Sequence, residues 1–207
     1  MTDRHTLDGE TKCGLSGLLV LVVGPSGVGK DTLLDAARDR LKMEKHICFP
    51  RRCITRPAGS VGEVHIPVRP EDFGQMARQG AFILSWRAHD LCYGIPRHVQ
   101  DDVALGKTVI VNVSRSVIDD AYALIGKENV RVLSIRASTE SLRKRLHARG
   151  REDALDIERR LARASAYQVD GDTIMHVDND ADLETGIARF VDAITMPKQT
   201  AQRARAT

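Results

Sequence analysis

Residues 24–30 read Gly-Pro-Ser-Gly-Val-Gly-Lys and sit between two apolar patterns. Before them runs the unbroken apolar stretch Leu18 to Val23; after them Leu33, Leu34, Ala37 and Leu41 recur at helical spacing. An apolar run without alternation marks a strand buried on both faces, and such strands belong to parallel sheets covered by helices. The loop between them fits the phosphate-binding pattern G-x-x-x-x-G-K-[S/T] at every fixed position but the last, where Asp31 stands. Strand, glycine loop and helix in that order aim backbone N–H groups and a helix N-terminus at a polyphosphate. Gly24, Pro25, Ser26, Gly27, Val28, Gly29, Lys30, Asp31 and Thr32 are therefore the candidate nucleotide-binding set.

The same alternation continues along the chain. Strands are expected at His46–Phe49, Ala81–Trp86, Thr108–Val113, Val130–Ile135 and Thr173–Val177. Helices are expected from Pro70 to before Gly80, at Pro96–Leu105 and at Ser116–Ile125. Three more follow: one from Ser138 to the charged turn Arg149-Gly150-Arg151-Glu152-Asp153, one onward to Tyr167, and one at Leu183–Ile194. Residues 58–69, punctuated by Gly59, Gly62 and Pro67, read as loop or short hairpin. Strands alternating with helices predict an α/β fold with a parallel sheet and right-handed crossovers. The 207 residues suit a single domain over 16–196, with polar tails at 1–15 and 197–207.

Composition narrows the partners. A charge of +3 and 4% aromatic residues permit an anionic substrate but give no base-stacking surface, so no nucleic-acid partner is expected. The apolar run at 18–23 is too short to span a bilayer, and a cytoplasmic protein is expected. The four cysteines form no C-x-x-C pair and have no histidine at zinc-ligand spacing, which suits reduced thiols. The oligomeric state is left open, with a homodimer among the options.

At the end of the loop the Lys30 ammonium can bridge β- and γ-phosphates and screen charge during transfer. Asp31 replaces a hydroxyl that ordinarily binds Mg²⁺; a carboxylate beside a triphosphate is repelled unless a cation intervenes. Asp31 is thus a candidate Mg²⁺ ligand, and the alternative is a helix-start acid facing the dipole. Arg145 and Arg149 lie four apart on one helix face, and Arg159, Arg160 and Arg163 follow on the next helix. Beside a phosphate loop such a helix pair suggests a lid over about 145–163 that carries guanidinium groups to transferring phosphates. Arg51, Arg52, Arg56, His65 and Arg97 flank strand–helix turns over about 50–97, where they can grip a second phosphate, with one of Arg51 and Arg52 expected only at the surface. Tyr93-Gly94 and Trp86 are candidates for the wall of that acceptor pocket, although core packing explains Trp86 equally well.

Together these pieces resemble the guanylate-kinase branch of P-loop kinases over roughly residues 18–165. The resemblance rests on the glycine loop, Thr55-Arg56-Pro57, Gly62-Glu63, Gly80-Ala81-Phe82 through His89 to Tyr93-Gly94, and Arg145-x-x-x-Arg149-Gly150 followed by Arg160-Leu161. It implies a P-loop kinase fold with a helical lid and a small acceptor-binding insertion at about 50–95, using ATP and Mg²⁺. By position it assigns Arg56 and Tyr93 to the acceptor phosphate, and Arg145, Arg149 and Arg160 to ATP. The base-reading positions depart from that branch: Leu84 stands where a glutamate is expected, Ile95 where a hydroxyl follows Tyr-Gly, and Asn112-Val113-Ser114 where an acidic strand end is expected. A site that loses hydrogen-bonding partners for a base loses orders of magnitude of discrimination.

The combination is similar to ribose 1,5-bisphosphate phosphokinases of phosphonate breakdown. Shared signatures are Gly29-Lys30-Asp31, Ile54-Thr55-Arg56, Gly62-Glu63-x-His65-Ile66, Leu84-Ser85-Trp86-x-Ala88-His89, Asn112-x-Ser114-Arg115 and Arg149-Gly150-Arg151-Glu152. That likeness implies transfer from ATP to ribose 1,5-bisphosphate, giving ADP and 5-phosphoribosyl 1-diphosphate, with a small phosphorylated sugar as partner. Rival readings are a nucleoside-monophosphate kinase and a non-catalytic guanylate-kinase-like binding module. Lys30 and the lid arginines disfavour the latter.

Overall fold

The computed structural model describes residues 17–58, 63–149, 154–165, 167, 169–171 and 173–198. The tail expected at 1–15, the tail expected at 197–207 from residue 199 onward, and the turn at 150–153 lie outside the described residues. A first group of five strands forms the central sheet: β1 (Leu18–Val23), β2 (Ile47–Cys48), β7 (Thr108–Asn112), β8 (Val130–Arg136) and β9 (Ile174–Asp178). A second group, β3 (Cys53–Ile54), β4 (Ile66–Pro67), β5 (Phe82–Ala88) and β6 (Leu91–Pro96), forms a separate small sheet. The helices are α1 (Lys30–Arg40), α2 (Pro70–Arg78), α3 (His98–Ala104), α4 (Ile118–Ile125), α5 (Thr139–Arg149), α6 (Ala154–Ser165) and α7 (Leu183–Thr195).

The central sheet runs β2-β7-β1-β8-β9, with every pairing parallel. Strand side chains alternate between faces. From β1, Val20 and Val22 join Leu33 of α1, Leu146 of α5 and Phe190 of α7 in one core; Leu19 and Leu21 join Val99 and Val103 of α3 and Ala121 of α4 in the other. Both faces are covered, which explains why β1 reads as a continuous apolar run. In a sheet of this kind ligands bind outside the carboxyl ends of the strands, and the glycine loop leaves β1 at that end.

Buried Arg131, near the start of β8, lies at the opposite end. Its guanidinium donates to the carbonyls of Ala193, Ile194 and Pro197 at the end of α7. A cation at a helix C-terminus satisfies carbonyls that have no intrahelical partner and faces the negative end of the dipole.

The small sheet corrects the expected boundaries. Leu91–Pro96 is a strand paired antiparallel with β5, and Pro96 ends it; the following helix starts only at His98. The hairpin turn is His89-Asp90, both in the left-handed region at φ 50° and 59°. Gly94 lies within β6 because a Cβ there would come within 2.6 Å of the Phe82 ring. Strand β3 joins β6 antiparallel and β4 parallel, so the stretch read as loop or short hairpin contributes a strand.

Candidate active site

The loop between β1 and α1 is shaped by its neighbours. Gly29 precedes α1 at φ 98°, and a Cβ there would lie 2.7 Å from the Asn179 side-chain amide. Gly24 has φ 154°, and its Cβ would lie 2.8 Å from the Ile135 carbonyl. Neither position admits a side chain without strain or displacement. Lys30 arches back over the loop, its Nζ donating to the carbonyls of Gly24 (2.6 Å) and Pro25 (3.0 Å). Burial lowers its ammonium to about 8; Asp31 opposes that shift, Arg52 adds to it and Glu63 opposes it. These influences tie the loop electrostatically to Arg52 and Glu63.

Asp31 and Thr32 are exposed on the first turn of α1. The Asn112 side-chain amide, at the end of β7, donates to Asp31 Oδ1 over 3.2 Å. Asp31, Arg51, Arg52, Glu63 and Asn112 line one cleft beside α1. Among the described residues no group of three or more His, Cys, Asp or Glu is placed to hold a metal. The exposed carboxylate beside the loop, Asp31, is a donor that suits Mg²⁺, which keeps waters and uses one or two carboxylates plus substrate phosphates rather than a full protein cage.

The two helices α5 and α6 come over the loop. Leu146 lies 3.2 Å from where a Gly27 Cβ would stand, and Arg160 Nη1 donates to Ser26 Oγ over 3.3 Å. Arg145 donates to the carbonyls of Val28 (3.1 Å) and Asn179 (2.5 Å). Buried Asn179 also donates its side-chain amide to Val28 O at 2.8 Å. Arg145 and Asn179 thus hold the same loop carbonyl from two elements. The Arg149 side chain lies outside the described residues.

At the small sheet, Thr55 is buried and pairs with Cys92 through both backbone and hydroxyl. Arg56 is half-buried, and its carbonyl lies against the His65 ring. His65 has its ring nitrogens 3.1 Å from the carbonyls of Glu63 and Arg56, so it bridges those two residues. Exposed Arg97 donates to the Gly80 carbonyl at 3.3 Å. Tyr93 is buried and stacks on Trp86, ring centroids 5.3 Å apart at 4°. Leu84 and Ile95 are buried in the core shared with α3 and α4.

The sequence misses one residue of this site, Asn179, and the role of another, Arg52. Arg52 stands in the expected phosphate-gripping set, with one of Arg51 and Arg52 expected only at the surface, yet its side chain is only 12% exposed and ion-paired with Glu63. Asn179 looks like a turn residue in Asp-Asn-Asp and carries no motif. The adjacent arginines at 51 and 52 point to opposite sides of an extended segment, and only the sheet pairing decides which points inward.

No protein-family model matches the chain. Among curated relatives, "Ribose 1,5-bisphosphate phosphokinase PhnN" from Rhodopseudomonas palustris is 44% identical, the match covering 85% of this chain and 92% of that protein. A "Bifunctional ribose 1,5-bisphosphokinase-thymidine phosphorylase" from Cupriavidus pinatubonensis is 42% identical over 86% of this chain, which spans only 29% of that longer protein. Among solved structures, a guanylate kinase from Anaplasma phagocytophilum matches 91% of this chain and 90% of its own, with TM-score 0.59 and 21% identity. The latter shows the P-loop kinase fold alone. Among the described residues no helix is long and apolar enough to cross a membrane. With a 44% identical relative matched over nearly its whole length, the chain belongs to the ribose 1,5-bisphosphate phosphokinase family.

Proposed function

We propose that this protein transfers the γ-phosphoryl group of ATP to the 1-phosphate of ribose 1,5-bisphosphate, forming 5-phosphoribosyl 1-diphosphate and ADP. The carrying observation is one contrast within the site. Lys30, Arg145 and Arg160, which the family pattern gives to the phosphates, all touch the glycine loop, while Leu84 and Ile95, where that pattern has base-reading groups, are buried in the core.

In the reaction a 1-phosphate oxygen forms the new bond to the γ-phosphorus as the bond to the β–γ bridging oxygen breaks. The attacking oxygen is already ionised near neutral pH, so the site needs no general base. Catalysis is alignment and charge screening. Lys30 leaves its loop carbonyls for the transferring group, Arg160 contributes from α6, and Arg145 keeps the loop carbonyls turned inward. Arg149 is assigned to the lid by the family pattern. Arg56 and Tyr93 are the acceptor-phosphate candidates; His65 and Arg97 act by shaping the loop and the start of α3. Asp31 would hold Mg²⁺ together with the nucleotide phosphates, and the ion would supply charge neutralisation between the two polyanions.

The test is incubation with Mg-ATP and a panel of phosphorylated sugars and nucleoside monophosphates, reading ADP. Rapid ADP formation confined to ribose 1,5-bisphosphate is expected. Preferential turnover of a nucleoside monophosphate would replace this reading with a nucleotide-kinase one.

A further inference from the structure

Arg52 is more completely tied down than any residue the family pattern assigns to the acceptor. Its Nε and Nη2 both donate to Glu63 Oε1, the former at 2.8 Å, and its Nη1 donates to the Asn112 carbonyl at 3.0 Å. The guanidinium carbon lies 5.1 Å from the Tyr93 ring centroid and 5.7 Å from that of Trp86. Both distances are within cation–π range of the stacked pair. An arginine serving a phosphate presents its two-pronged edge outward to the ligand. Here that edge is on Glu63, which also neutralises the cation, and both side chains are largely buried, at 12% and 18% exposed.

The carbonyl that Arg52 holds belongs to Asn112, whose side-chain amide holds Asp31. One residue at the end of β7 is therefore fixed at its backbone by the acceptor side and at its side chain to the phosphate loop. The chain Trp86/Tyr93, Arg52, Asn112, Asp31 spans from the small sheet to the first turn of α1.

We infer that Arg52 is a positioning residue: locked by Glu63, it sets the Trp86–Tyr93 wall of the acceptor site in register with the phosphate loop through Asn112, and does not itself bind the acceptor phosphate. The inference rests on reading this wall as the acceptor site. A misplacement of about 1 Å at reacting groups costs about 10²-fold in rate, so the effect on turnover is large although Arg52 touches no reacting atom.

Trp86 is the single tryptophan of the chain, so its emission reads this wall directly, with no substrate present. The experiment uses the full chain and the variants Arg52→Met, Arg52→Lys and Glu63→Gln. It measures Trp86 emission and acrylamide quenching without ligands, then steady-state kinetics. Methionine and lysine, both lacking the fork, should each red-shift Trp86, raise its quenching and lower kcat/KM for the acceptor about 10²-fold. KM for ATP should stay within about twofold. Glu63→Gln, which is isosteric and keeps the fold testable, should shift both readouts in the same direction by less.

Full rescue by lysine, or tighter acceptor binding in Glu63→Gln, would make Arg52 a phosphate ligand and overturn the inference. An unmoved Trp86 spectrum with equal losses for ATP and acceptor would reduce it to a fold contact and overturn it too. Because the fluorescence arm contains no substrate, it stands or falls separately from the identity of the acceptor.

Discussion

Raising the pH above 8 should cost this protein its capture of ATP while leaving turnover of bound ATP almost unchanged. Burial among the loop carbonyls brings the Lys30 ammonium from 10.5 to about 8. That difference corresponds to about 3 kcal/mol. At one pH unit above its pKa about nine-tenths of a group is deprotonated, so kcat/KM for ATP should fall about tenfold by pH 9. A bound triphosphate next to the ammonium favours the charged form and raises its pKa, so kcat should hold over the same range. Initial rates of ADP formation from pH 7 to 10, at low and saturating Mg-ATP, separate the two, since kcat/KM reports the free enzyme and kcat the complex. Lys30→Arg, which does not titrate there, should lose the descending limb from whatever activity it keeps. Stability moves the opposite way. The unfolded chain keeps the lysine proton to about 10.5 while the folded chain releases it at about 8, so stability rises with pH across that window by up to about 3 kcal/mol. A kcat/KM for ATP that stays level past pH 10 would refute the argument that burial dominates at Lys30.

Asp31→Ala should raise the Mg²⁺ concentration for half-maximal rate, and Asp31→Ser should recover part of the loss only together with Asn112→Asp, a coupling of about 0.5–3 kcal/mol between hydrogen-bonded sites; an unshifted magnesium titration in Asp31→Ala would leave it a helix-start acid. Arg131→Met removes the cation capping α7 and should cost about 2–3 kcal/mol in urea unfolding without changing KM for ATP, because it lies at the far end of the sheet. An unchanged midpoint would mean that those carbonyls find other partners. Asp90→Gly should stabilise the β5–β6 hairpin by about 0.5–1 kcal/mol, because a residue at φ 59° there favours glycine. A lower melting temperature in this variant would show that Asp90 contributes more through its side chain than it costs through its backbone.

The parts of the fold that sequence reveals are those whose physics is local. β1, its glycine loop and α1 are legible because a two-face buried strand leaves no alternation, and because a loop with φ above zero selects glycine. β7 and β8 follow from the same apolar runs. The β5–β6 hairpin is hidden because its turn uses His89-Asp90 instead of an Asn-Gly pair, and because Gly94 and Pro96 argue locally against a strand. Both are accommodated by tertiary context: Phe82 packs where a Cβ would be, and Pro96 stands at the strand end. In the site, Lys30 and Asp31 are fixed by motif position. Arg52 and Asn179 draw their meaning from carbonyls and rings some 30 or more residues away in the chain, which no spacing rule encodes. Arg131 likewise reads as an interruption in an apolar strand until the end of α7 is placed beside it.

The central claim is that an acceptor site which has kept its phosphate-binding groups and buried its base-reading positions acts on a phosphorylated sugar. The most direct measurement is a competition in one tube: the full chain, limiting Mg-ATP, and equal concentrations of ribose 1,5-bisphosphate and GMP, followed by ³¹P NMR. The account predicts that the diphosphate resonances of 5-phosphoribosyl 1-diphosphate appear with those of ADP while GMP persists. Consumption of GMP ahead of the sugar bisphosphate would contradict it.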